Sequence, residues 1–174
     1  MITIVIGTNR KNSISSQVAN QYTQLFKDIN TETEVIDLSE LPADFTQSAL
    51  YENSGKNEAF NVFRDKMLEA TKFLFVVPEY NGSFPGVLKA FIDGLAFPQT
   101  FKNKIAAITG VSSGIQGGVL AMSHLTDTFN YLQMNILHLK PKLSGISKKM
   151  ENGKVVDDTY LDLMKQQSRL LADF

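Results

Sequence analysis

Three short stretches hold the residue types best suited to chemistry. The first, Gly7-Thr8-Asn9-Arg10-Lys11-Asn12-Ser13-Ile14-Ser15-Ser16, follows an apolar run and leads into a helical pattern. Free backbone N–H groups and the positive end of the macrodipole favour an anion at such a helix start. The hydroxyls of Thr8, Ser13, Ser15 and Ser16 add donors, and a guanidinium such as Arg10 grips two phosphate oxygens at once. An ordinary capped helix beside a solvated Arg10 and Lys11 fits the same segment taken alone. The stretch matches neither the Gly-x-Gly-x-x-Gly dinucleotide fingerprint nor the Gly-x-x-x-x-Gly-Lys-Ser/Thr nucleotide loop.

The second stretch is Pro78-Glu79-Tyr80-Asn81-Gly82-Ser83-Phe84-Pro85-Gly86. Two prolines stiffen the backbone and two glycines allow close approach. Backbone amides beside Tyr80 or Phe84 suit a flat heterocycle, held by its edge and its face, although loop aromatics also serve simply to cover a core. The third stretch sets Gly114, Gly117 and Gly118 among Ser112, Ser113 and Gln116. Its backbone can present N–H groups to a carbonyl edge or a developing negative charge, or act only as a flexible connection.

These stretches need a scaffold that brings them to one place. Ile2, Ile4 and Ile6 interleaved with Thr3 and Val5 read as a strand buried on both faces of a parallel sheet. Further strands are expected at Thr33 to Leu38, Lys72 to Val77, Ile105 to Val111 and Ile136 to Leu139. Helices are expected around Val18 to Ile29, Asn57 to Ala70, Leu88 to Leu95, Leu125 to Leu132 and Leu161 to Leu171, from apolar residues at helical spacing. Ser39 to Lys56 is polar and punctuated by Pro42 and Gly55, and Asn152-Gly153 marks a turn. Regular strand–helix alternation predicts an α/β, three-layer, doubly wound sandwich of the flavodoxin-like type, with a five-stranded parallel sheet of order 2-1-3-4-5. In that order the ligand lies at the carboxyl ends of strands 1, 3 and 4, where the three stretches fall.

Composition narrows the function. The 174 residues carry 17 Lys+Arg against 18 Asp+Glu, a net charge of -1, and no cysteine. Thiol nucleophiles, disulfides and Cys-ligated metals are therefore excluded, and the charge balance argues against nucleic acid or an anionic membrane surface as partner. Residues 1–174 are expected to form one domain, without a signal peptide or membrane span, in the cytoplasm. His124 and His138 lack ligand-spaced partners, so no metal is expected. Lys89 and Asp93 form an i,i+4 pair suited to a surface or an interface. Together the loops predict one elongated ligand with a phosphate at the first and a flat ring across the other two. Flavin mononucleotide (FMN) has that shape.

The motifs Gly7-Thr8-Asn9-Arg10-x-x-Ser13 and Pro78-Glu79-Tyr80-Asn81-Gly82-Ser83-x-Pro85-Gly86-x-Leu88-Lys89-x-x-x-Asp93 resemble the two signatures of the NAD(P)H-dependent FMN reductase family, which includes azoreductases and quinone or chromate reductases. The resemblance implies FMN held noncovalently, in a homodimer or homotetramer with the flavin near the subunit interface. By position it implies that Thr8, Arg10, Ser13 and Ser15, with Ser16 beside them, bind the phosphate. It likewise sets Pro78, Glu79, Tyr80, Asn81 and Gly82 along the isoalloxazine, and Ser112, Ser113 and Gly114 at its pyrimidine edge. Many members have Ser where this chain has Thr8 and Asn where it has Ser15, and both exchanges keep a polar side chain.

The implied reaction is ping-pong: hydride passes from NAD(P)H through FMN to a small acceptor such as a flavin, quinone, azo compound or metal oxyanion. No side chain is assigned a catalytic role, since the cofactor carries the chemistry. Glu79 reads as a hydrogen-bonding or interface group in preference to an acid–base catalyst. Two other classes fit an FMN site: a flavodoxin-type electron carrier, which would be markedly acidic, and a binding module without turnover.

Overall fold

The computed structural model describes residues 1–174. Its strands are β1 (Ile2–Ile6), β2 (Thr33–Asp37), β3 (Lys72–Pro78) and β4 (Ile105–Val111), with short β5 (Asn135–Ile136) and β6 (Lys142–Leu143). They form one parallel sheet of order β2-β1-β3-β4-β5, with β6 also paired to β4. This is the expected flavodoxin-like order. The helices are α1 (Ile14–Asp28), a single turn α2 (Phe45–Ser48), α3 (Glu58–Glu69), α4 (Gly86–Asp93), α5 (Val119–Tyr131) and α6 (Asp158–Asp173). None is long and apolar enough to cross a membrane.

Side-chain parity along the strands divides the core into two. Val5, Phe73, Phe75, Val77, Ala106 and Ile108 pack against α3, α4 and α5 on one face. Ile2, Ile4, Ile6, Leu74, Val76 and Ala107 pack against α1 and α6 on the other. Burial on both faces explains why these strands read as continuous apolar runs instead of alternating ones.

Three boundaries differ from the sequence expectation. β2 stops at Asp37 rather than Leu38, because the Asp37 carboxylate accepts the Ser39 N–H at 2.8 Å and starts a 3-10 turn over Leu38–Glu40. β3 runs one residue further, to Pro78, which still pairs with Val111. The fifth strand, expected at Ile136 to Leu139, is split. Partner numbers differ by 30 at Ile105↔Asn135 and by 32 at Gly110↔Lys142, so this edge carries two extra residues in the gap. A short antiparallel hairpin, β7 (Met150–Glu151) with β8 (Lys154–Val155), closes on the expected Asn152-Gly153 turn.

The side chain of Gln167 on α6 fills the gap in the edge. Its Nε2 donates to Ile108 O at 3.0 Å and to Leu139 O at 2.9 Å, bridging β4 and the displaced segment. Its Oε1 accepts from the Tyr22 hydroxyl and from Thr109 Oγ1, each at 2.7 Å. Gln167, Tyr22 and Thr109 are all fully buried, so the amide is fully used where water cannot substitute.

Replacing Gln167 by Leu orphans the Ile108 and Leu139 carbonyls and leaves the Tyr22 and Thr109 hydroxyls, 2.8 Å apart, only each other, and is expected to lower stability by about 3 kcal/mol in urea denaturation. Burial pushes the Tyr22 phenol well above its ordinary value of 10.0, against a smaller downward effect of its hydrogen bond with Thr109. A raised folded-state pKa means that this contribution is full below about pH 10 and is lost as pH climbs past it. In an alkaline titration followed by phenolate absorbance, Tyr22 should ionise only as the chain unfolds, and Tyr22→Phe should delete that late component.

Candidate functional site

A cavity of about 250 Å³ lies at the carboxyl ends of β1, β3 and β4. Its walls include Arg10, Ser13 and Ser15 from the first loop, Pro78, Glu79 and Tyr80 from the second, and Ser112 and Ser113 from the third. Lys11, Asn12, Ile14, Val111 and Ile146 complete them.

The first loop is built as a donor array. Asn12 takes a left-handed φ of 53°, a conformation Asn tolerates better than most residues, and this turns the chain into α1. Ser13 caps the helix: its Oγ accepts the Ser16 N–H at 3.1 Å, which leaves the Ser13 hydroxyl proton free to donate outward. The N–H groups of Lys11, Asn12, Ser13, Ile14 and Ser15 donate to no protein acceptor. No acidic residue occupies the first turn of α1, and neither Arg10 nor Lys11 forms an ion pair. The positive potential of this corner is therefore unspent.

The second loop is a tight hairpin in which Tyr80 N–H donates to Ser83 O at 2.8 Å and Ser83 N–H to Tyr80 O at 3.1 Å. Asn81 (φ 51°) and Gly82 (φ 76°) supply the two left-handed residues that such a two-residue turn requires. The turn fixes Tyr80, whose hydroxyl lies 2.7 Å from Thr8 Oγ1. Thr8 is fully buried and also accepts the Arg10 N–H at 3.2 Å. Glu79 leaves a buried Oε2 with no partner on the cavity wall, an acceptor in need of a donor.

Five of the sequence-selected residues do not line the cavity. Thr8 is an internal brace between two loops. Ser16 turns its hydroxyl back to Ser13 O at 2.7 Å and faces a neighbouring groove with Asp37 and Glu40. Asn81 and Gly82 make the turn. Gly114 is tied inward, its N–H donating to Ser112 Oγ at 3.1 Å and its carbonyl accepting Gly145 N–H at 2.9 Å. Among the residues that sequence reasoning left out, Lys11 and Asn12 sit inside the selected loop, whereas Ile146 comes from a distant segment with no local signal.

The arrangement can hold an anion at one end and a flat, hydrogen-bonding group at the other. Comparisons with known proteins show what the chain is similar to. The family model described as NADPH-dependent FMN reductase matches residues 1–140. An NAD(P)H-dependent FMN reductase of Pseudomonas aeruginosa is 36% identical over 138 residues, spanning 74% of this chain and 74% of that protein. A 2-hydroxy-1,4-benzoquinone reductase of a Burkholderia species is 31% identical over 140 residues, 79% of this chain and 74% of its own. Among solved structures, the flavoenzyme FerB, an NAD(P)H:(acceptor) oxidoreductase of Paracoccus denitrificans, superposes with a TM-score of 0.79. The match is at 21% identity and covers 99% of this chain and 94% of FerB.

The third loop depends on one close approach. A Cβ on Gly110 of β4 would stand 2.5 Å from Gly117 O and 3.0 Å from the Met122 side chain. Gly110→Ala is therefore expected to cost about 2 kcal/mol or more in a urea titration, and to shift the amide resonances of Ser112 to Gly118.

Proposed function

The chain belongs to the NADPH-dependent FMN reductase family, and from that premise we propose that FMN occupies the cavity at the carboxyl edge and serves a ping-pong reduction of small acceptors. The observation that carries this reading is the convergence of five unengaged N–H groups with the unpaired Arg10 and Lys11 on a cavity whose other walls include Pro78, Glu79, Tyr80, Ser112 and Ser113.

Arg10, Ser13, Ser15 and the start of α1 would hold the phosphate. Pro78 to Tyr80 would wall the ring on one side and Ser112 and Ser113 on the other, with Thr8 orienting Tyr80 from beneath. The orphaned Glu79 Oε2 fits a ligand rich in N–H and O–H donors, which FMN is. The amide N–H of Ser113 is free of protein acceptors and suits a ligand edge that gains negative charge on reduction. When bound, FMN supplies the two-electron chemistry, accepting hydride from NAD(P)H and passing reducing equivalents to a flavin, quinone, azo compound or metal oxyanion.

We also propose a homodimer or homotetramer. Phe97 and Tyr131 stack with ring centroids 6.4 Å apart while remaining 60% and 77% exposed, and Ile115 and Leu120 extend the same kind of apolar surface. Burying such groups is the usual gain on association. Light scattering measures the mass directly.

The purified protein, loaded with FMN and mixed with NADH or NADPH under argon, should lose the flavin's blue absorption band within the mixing time of a turnover. Persistence of that band with both nucleotides would leave an electron carrier or a binding module as the better reading. Arg10→Ala should raise the Kd for FMN about 10- to 100-fold in equilibrium titration, the cost of a lost charge-assisted contact of roughly 1.5–3 kcal/mol.

A further inference from the structure

The wall formed by Ser112 and Ser113, with Gly114 behind it, hangs from a segment that lies beyond the residues matched by the family model. Ser112 N–H donates to Leu143 O at 3.1 Å, Ile146 N–H donates to Ser112 O at 3.2 Å, and Gly145 N–H donates to Gly114 O at 2.9 Å. Ile146 also lines the cavity. Whatever fixes residues 143–146 therefore fixes this wall.

One atom holds Ser144 within this segment. The Tyr160 hydroxyl donates to Ser144 O at 3.0 Å and accepts the Ser144 N–H at 3.1 Å and the Ser144 Oγ hydroxyl at 2.7 Å. A phenol has one proton and two lone-pair positions, so its whole hydrogen-bonding capacity is spent on a single residue. Tyr160 is itself held in place. Its N–H donates to Asp157 Oδ1 at 3.0 Å at the start of α6, and Lys149 Nζ sits 3.9 Å from its ring centroid and 3.2 Å from Asp157. Its ring is almost fully buried, at 8% exposure, so removing the hydroxyl alone leaves the packing in place and releases only Ser144.

We propose that Tyr160 is a positioning residue for the ligand site, acting through Ser144 to set where Ser112 and Ser113 meet the ring end of the ligand. This rests on the FMN reading above. The hydroxyl touches only Ser144 and belongs to the last helix, so its effect should fall on affinity and on the environment of the bound ring.

Tyr160→Phe is compared with wild type and with Asn57→Ala, which removes the cap of α3 (Asn57 Oδ1 accepting Phe60 N–H at 2.9 Å), on another element. Each is titrated with FMN, and the visible circular dichroism and midpoint potential of the bound flavin are recorded. Tyr160→Phe should raise the Kd about tenfold and alter the visible dichroism and the potential, while Asn57→Ala should lose stability and leave all three unchanged. Ser144→Ala, which deletes one of the three contacts, should move the same quantities in the same direction by less, and serves where Tyr160→Phe folds poorly. If Tyr160→Phe or Ser144→Ala loses only stability, with flavin affinity, dichroism and potential unchanged, the clasp is structural and the proposal fails alone. Wild type showing no FMN binding would remove both the proposal and the reading beneath it.

Discussion

A parallel sheet confines the backbone amides of its central strands, and every one of them must find a partner away from water. At the β4 edge that demand is met by a side chain. The Gln167 amide takes the place of a ladder rung between Ile108 and Leu139, where two extra residues push the fifth strand out of register. The displaced chain then returns as β6 against Gly110 and Val111, far enough along to run beneath the Ser112 loop. Tyr22 and Thr109 secure the same amide from α1 and β4. The placement of one cavity wall thus traces back to a buried hydrogen-bond network between α1, α6 and the sheet.

Much of the scaffold was legible because burial on both faces leaves a plain signature. Ile2 to Ile6, Lys72 to Val77 and Ile105 to Val111 are continuous apolar runs, and the helices between them carry apolar residues at helical spacing. The split edge was not legible, since Gln167 lies 28 residues from its acceptor Leu139 and a glutamine in a helix has no pattern that announces such a role. The site divides the same way. Arg10, Ser13, Ser15 and Tyr80 follow from loop chemistry at strand ends. Thr8 carries the same hydroxyl and turns inward, because its direction is set by contact with Tyr80, which is 72 residues away. Ile146 and Tyr160 had no local mark at all.

Electrostatics explains how a nearly neutral chain can favour an anion. Its net charge of -1 gives no long-range field of use. Positive potential is instead local, concentrated where α1 begins without acidic residues and where Arg10 and Lys11 have no carboxylate partner. Such a corner acts over a few ångströms and is only partly screened by salt.

The 2.7 Å contact between Thr8 and Tyr80 joins the loops of two neighbouring strands into one body. Their freedom is therefore shared: a fragment that settles the first loop also restricts the second. The ordering entropy of the pair is spent once when a ligand spans both, and the whole molecule is bound more tightly than its separated halves would indicate.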